Sequence, residues 1–245
     1  MNSLTPADLK EMEKLYKAGA HLGHKKNRLH PKARKYVYKM EQGVSIIDLT
    51  VTMKQLEGAK NYLSQAAHDE KVILVVATKK IVSQFTATLC EKYEIPYISA
   101  KWLSGLLTNF QTIIKNVNNL KKLREDRENG VWDSYVKHER VQLDKKVIRL
   151  EKFYKGLVPL LKKPDILVII DSKKEKNALT EAIQCNIRTV AISDTNSNPD
   201  LVTYPVVAND DSPTSAQYLV EELVEAYAQS KIKTQNAKVK EKKAE

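Results

Sequence analysis

Lys101-Trp-Leu-Ser-Gly-Leu-Leu-Thr-Asn-Phe110 divides the chain into two kinds of sequence. Before it, short apolar runs alternate with segments of helical length. Val72-Ile-Leu-Val-Val-Ala77 is an unbroken apolar run rich in β-branched residues, the pattern of a strand buried on both faces of a parallel sheet. After it, residues 110–160 are charged and poor in glycine, and helical periodicity replaces the strand pattern. The strand pattern returns at Ile166-Leu-Val-Ile-Ile170 and Thr189-Val-Ala-Ile192. The chain therefore reads as an α/β domain with a helical insertion, and the 101–110 stretch is the joint between them.

Outward from that joint the elements follow in order. Thr5-Pro6-Ala7-Asp8 opens a first helix, with Thr5 as N-cap and Pro6 in the first turn. Residues 21–35 form a basic loop without apolar periodicity. Tyr36–Met40 and Val44–Leu49 flank Gly43 and predict a hairpin. Thr50 is placed to cap a helix bearing Met53, Leu56 and Leu63, and a further helix spans about Lys80–Tyr93. Pro96–Ser99 is a short strand, and a helix covers roughly 174–186. Tyr204-Pro-Val-Val207 reads as an edge strand because of its proline. A last helix starts near Pro213 with Leu219, Leu223 and Tyr227 on its apolar face. Strands alternating with helices of this length imply a three-layer αβα sandwich with a mainly parallel sheet, flavodoxin-like or Rossmann-like.

Within the insertion, Phe110, Ile113, Val117 and Leu120 form one seam, and Leu143, Val147, Leu150, Tyr154 and Leu157 form a second. Two narrow seams at heptad spacing predict an antiparallel coiled-coil hairpin, its two helices zipped to each other and projecting from the sheet. The expected domains are an α/β unit over 1–109 and 161–230, the hairpin over 110–160, and a disordered basic tail over 231–245.

Charge separates function classes. The chain has 245 residues and a net charge of +11. Residues 21–40 hold seven Lys/Arg and no acid, and residues 110–160 hold twelve Lys/Arg against seven acids. Residues 161–230 reverse the balance, with six Lys/Arg against eleven acids. Cations concentrated on particular segments are the footprint of a protein laid against a polyanion. Nothing approaches the roughly 20 apolar residues of a membrane span. Cys90 and Cys185 stand alone in helical segments and read as free thiols.

Catalytic signals are weak. The glycine patterns of dinucleotide and P-loop sites are missing from the chain's seven glycines. Thr78-Lys79-Lys80 is placed to bind a phosphate at a helix start, which suits an RNA backbone as well as a nucleotide. His21, His24 and His30 lack a cysteine or acid nearby in sequence, so no metal site is expected from them. Asp194, with Asp210 or Asp211, suits a divalent cation but more simply caps the turns that follow. Tyr36 and Tyr38 follow the basic loop in positions that alternate between core and base stacking. The predicted RNA-contacting cations are Lys25, Lys26, Arg28, Lys32, Arg34 and Lys35 in the loop, and Lys79, Lys80 and Lys101 at strand ends. In the insertion they are Lys121, Lys122, Arg124, Lys145, Lys146 and Arg149. A nucleotide-dependent or RNA-modifying enzyme on the same sheet is the alternative, and it requires a phosphate loop or an acid-lined pocket at the strand ends.

Several segments together resemble the bacterial-type small-subunit ribosomal protein S2 family. They are Ala18-Gly-Ala-His-Leu-Gly-His24, Pro31-Lys32, Ile46-Ile-Asp-Leu49, Thr78-Lys-Lys80, Trp102–Phe110, Pro164–Asp171 with Lys174-Glu175, Asp194-Thr-Asn196, Pro199-Asp200 and Tyr204-Pro205. They run in family order over about residues 8–230. Ser104 stands where the family has glycine, and Leu29-His30 replaces its Trp-Asn. The resemblance implies a structural constituent of the small ribosomal subunit in the cytoplasm, without enzymatic activity or cofactor. It implies contact with 16S ribosomal RNA and with neighbouring ribosomal proteins, including the large protein S1 where present, and neither membrane association nor homo-oligomerisation.

Overall fold

The computed structural model describes residues 5–244. Helix α1 (Pro6–Lys17) starts as predicted. Thr5 accepts from the Asp8 amide while Asp8 accepts from the Thr5 amide, a reciprocal capping box. Strand β1 (Leu22–Lys25) follows, then two 3-10 turns (Lys26–Arg28 and Pro31–Tyr36). β2 (Val37–Glu41) and β3 (Val44–Ile47) make the expected antiparallel hairpin. Its turn places Gln42 and Gly43 at φ 47° and 80°, so the glycine serves a left-handed conformation.

β1 adds to this hairpin in the order β1-β3-β2, a strand the sequence does not announce. Helix α2 (Leu49–His68) is capped by Asp48 rather than Thr50. The Asp48 carboxylate accepts from both the amide and the hydroxyl of Thr50.

The main sheet has five parallel strands: β4 (Ile73–Val76), β5 (Tyr97–Ile98), β6 (Ile166–Ile170), β7 (Arg188–Ser193) and β8 (Tyr204–Val207). Their order is β5-β4-β6-β7-β8, the flavodoxin-like winding, with β8 at an edge as its proline predicts.

Side-chain alternation divides the core in two. Ile73, Val75, Ile166, Val168, Ile170, Val190, Ile192 and Val206 face one layer, made by α2, α3 (Lys80–Lys92) and α7 (Pro213–Ala244). Leu74, Val76, Leu167, Ile169 and Ala191 face the other. The helix available to that second face is α6 (Lys176–Gln184), only nine residues long.

That shortage explains the joint. Trp102, Leu106 and Leu107 are buried against the second face, and so are Ile113 and Val117 from the start of α4 (Phe110–Glu128). Leu157 and Leu160, beyond the end of α5 (Lys137–Tyr154), complete the layer. Where the returning chain passes β5, Gly156 leaves no room for a side chain, because a Cβ there would run into the Tyr97 carbonyl.

The insertion is an antiparallel helix pair. Asn116 donates to the Tyr154 hydroxyl (3.1 Å) near its root, and Arg127 pairs with Asp144 (3.5 Å) farther out. Its seam is not self-contained, which corrects the expectation of two helices zipped only to each other. Ile113 and Val117 complete the sheet's core, whereas Leu120, Leu123, Trp132 and Val147 form a separate cluster against which Leu143, Leu150 and Tyr154 of the second seam pack. The insertion is therefore part of the third layer at its root and an arm beyond it.

The tail also differs from expectation. Helix α7 continues through residues 231–244, where a disordered segment was predicted. Thr234 lies 2.9 Å from His68 Nδ1 at the end of α2, so the extension starts with a partner to run along. Glu245 lies outside the described residues.

Candidate nucleic-acid interface

Parallel sheets of this winding place their sites at the carboxyl ends of the strands, at the switch point between β4 and β6. Here that crevice is bridged by protein groups. The Thr78 hydroxyl donates to Glu175, and Lys174 Nζ donates to the Thr78 carbonyl at 2.9 Å. Lys79 reaches Asp210 (2.7 Å), Asp211 (2.5 Å) and Asp171 (3.5 Å). Its ammonium is thus committed to carboxylates and withdrawn from the phosphate expected of it. Burial works against the Lys79 charge, but Asp210 and Asp211 outweigh burial and hold its pKa above the ordinary lysine value. Asp210 is 1% exposed. Burial pushes its carboxyl up to about 7, with the charges of Asp171 and Asp194 adding to the rise. Burial also raises Glu175.

His24 enters this network from β1. Its Nδ1 is 3.0 Å from Asp194, and its Nε2 is 3.3 Å from Asp211 and 2.7 Å from the Asn196 amide nitrogen. The hydrogen bond to Asp194 raises the imidazole pKa against burial. One ligand atom each from His24, Asp194 and Asp211 lies within 4.8 Å of the others, a set able to hold a divalent cation. Lys79, 2.5 Å from Asp211, already supplies positive charge there. The histidine lacking acids nearby in sequence thus has two in space, about 170 and 190 residues away. His21 and His30 are not part of that set. His30 Nδ1 instead accepts from the Lys32 amide.

The same network docks the basic loop on the sheet. The His24 amide donates to the Thr195 hydroxyl and the His30 amide to the Thr195 carbonyl, both at 2.8 Å. Gly23 lies flush against Thr195, where a Cβ would come within 2.8 Å of a methyl group. β1 exists for this reason: its pairing with β3 and its contact with the loop after β7 supply what Leu-Gly-His-Lys lacks as a strand former.

Lys25, Lys26, Arg28, Lys32, Arg34 and Lys35 are all exposed on this docked loop. Lys32 and Lys35 approach Asp200 at 3.7 and 2.8 Å. Lys25, Lys26, Arg28 and Arg34 have no carboxylate within ion-pair distance among the described residues. A cavity of about 580 Å³ opens beside them, lined by Lys25, Arg28, His24, Asp194 and Asp211. Tyr38 is 72% exposed, whereas Tyr36 is half-buried beneath Lys35.

On the arm, Lys122, Lys145, Lys146 and Arg149 are exposed and Lys121 is half-exposed. Arg124 differs, because its Nε and Nη2 donate to Glu151 at 2.9 and 2.7 Å and tie α4 to α5. Lys80 and Lys101 are exposed at strand ends. The loop docks on Thr195 after β7, and the root of the arm packs beside α3 and β5, where Lys155 pairs with Glu91 at 2.7 Å.

The comparisons agree with one another. A family model described as ribosomal protein S2 matches residues 15–230. The chain is also 37% identical over 215 residues to the small ribosomal subunit protein uS2 of Helicobacter hepaticus (strain ATCC 51449 / 3B1). That alignment covers 88% of this chain and 81% of the relative.

Proposed function

The chain belongs to the ribosomal protein S2 family, and from that premise we propose how it works in the particle. It is a structural constituent of the small ribosomal subunit of cytoplasmic ribosomes, a role that involves no chemistry of its own. Its task is to hold ribosomal RNA against two basic surfaces, the docked loop over 25–35 and the outer faces of the arm, while other faces meet neighbouring ribosomal proteins.

The observation that carries this reading is the docking of the loop. Lys25, Lys26, Arg28 and Arg34 are exposed, with no carboxylate in ion-pair distance among the described residues, on a segment fixed by Thr195 and Gly23. A pre-ordered cationic segment loses little conformational entropy when phosphates bind, so counterion release becomes net affinity. Loop and arm side chains cannot enter the deep major groove of an A-form helix, so this contact reads backbone shape rather than base sequence. The bridged switch-point crevice is consistent with a structural role, because the place where such a sheet would seat a nucleotide is filled by Thr78, Lys79, Lys174 and Glu175.

Reversing Lys25, Lys26 and Arg28 together to glutamate tests the reading. Incorporation into the small subunit should fall while the unfolding midpoint stays where it is. Normal incorporation of the triple variant contradicts the role given to the loop.

A further inference from the structure

Glu181 sits near the middle of α6, far in sequence from the arm, yet its carboxylate faces the joint. Its Oε1 accepts from Trp102 Nε1 at 3.0 Å and from the Gly105 amide at 2.8 Å, and its Oε2 accepts from the Leu107 amide at 3.2 Å. These donors belong to neither a helix ladder nor a strand ladder. The segment between β5 and α4 is otherwise irregular, and Gly105 holds φ +89°, a conformation suited to glycine. A Cβ at 105 would meet nothing closer than Asn109 Cβ at 3.6 Å, so the glycine is required for conformation rather than for space. Ser104, which replaces the glycine of the family pattern, is exposed and lies outside the left-handed region.

We infer that Glu181 is the positioning residue for the arm: one carboxylate gathers an indole N–H and two backbone N–H groups and fixes the angle at which the chain leaves the sheet. Bonds to a charged acceptor are shorter and stronger than neutral ones. Three of them converge on a half-buried group beside the buried Trp102 ring. The latch is a property of the free protein. Its use, to hold the arm at a set spacing from the docked loop so that one RNA surface meets both, rests on the proposed function.

Glu181→Gln keeps the shape, removes the charge and presents an amide N–H₂ to donors. Hydrogen exchange on the free protein should show protection at the Gly105 and Leu107 amides falling at least tenfold, with β6 amides at 166–170 unchanged. Spin labels at Ser134→Cys on the far turn and Asn61→Cys on α2, in a Cys185→Ser background, should give one narrow distance distribution for the otherwise unaltered chain and a broad one with Glu181→Gln. Trp102→Phe, which keeps the ring in the core and deletes one donor, should broaden it less, and adding it to Glu181→Gln should broaden it no further. Unchanged exchange and unchanged distances in Glu181→Gln overturn the latch. A loosened arm with undiminished subunit binding leaves the latch standing and refutes the two-surface reading of RNA binding.

Discussion

Lysines and arginines do opposite work in two neighbouring regions of this protein. Around the carboxyl ends of β4, β6 and β7, Lys79 is turned inward onto Asp171, Asp210 and Asp211, and His24 onto Asp194 and Asp211. In the adjoining loop, Lys25, Lys26, Arg28 and Arg34 are exposed, and among the described residues no carboxylate lies within ion-pair distance of them. The inward set holds the edge of the sheet together and seats the loop, and the outward set is available to a polyanion. The first region should govern stability and reach binding only through the seating of the loop, leaving the salt slope unchanged, and the second should set that slope with little effect on stability.

The largest test of this contrast is Lys79→Met. Above pH 7, where Asp210 is ionised, it leaves that carboxylate buried among like charges, and loss of one partner of a buried pair costs about 3–5 kcal/mol. Chemical denaturation should show a fall of that size, and a change below about 1 kcal/mol would erase the distinction between the two regions.

The pH profile comes next. In the folded chain Asp210 titrates at about 7 against an ordinary 3.8. Between those values the folded state holds a proton that the unfolded state has released, so stability falls as pH rises from about 4 to 7. His24, also raised, continues the decline above its ordinary 6.5. In the presence of a chelator the fall should be on the order of a few kcal/mol, and Asp210→Asn should flatten it over the acidic part of the range. A profile with the same slope in both proteins would mean that other groups drive it.

Arg124→Ala should cost about 0.5–1 kcal/mol, because the pair with Glu151 is partly exposed and ties α4 to α5. Lys145→Ala, at an exposed position six residues before Glu151 on α5, should change stability by less than about 0.5 kcal/mol. If the two were equal, the division of arm cations into tie and contact would be unsupported.

Much of the fold was legible in the sequence because periodicity reports burial directly. The runs at 72–77 and 166–170 read as strands covered on both faces, and the seams at 110–120 and 143–157 as helices, although α5 ends at Tyr154 and Leu157 sits in the 3-10 turn beyond it. What was not legible depended on residues distant in the chain. Lys79 reads as a phosphate ligand until Asp210 arrives from 131 positions away. β1 has no strand pattern of its own, and its pairing with β3 and its contact with Thr195 create it. The arm's seam was visible, but its division between the sheet core and the outer cluster was not, because nothing in residues 110–160 reports how little of the sheet α6 covers. Asp48 and Thr50 are both competent caps in succession, and the choice between them depends on where β3 ends. In the site, the loop cations were legible as a charge run without acids, and their rigid seating was not.

The salt dependence of binding to small subunits tests the central claim most directly. The affinity of the unaltered chain and of the triple variant Lys25→Glu, Lys26→Glu, Arg28→Glu should be measured from low to moderate salt. If these three cations meet phosphates, the slope of log affinity against log salt should flatten by about 2–3 in the variant, near 0.9 per lost contact. Equal slopes in the two proteins would contradict the account and place the RNA contact elsewhere on the molecule.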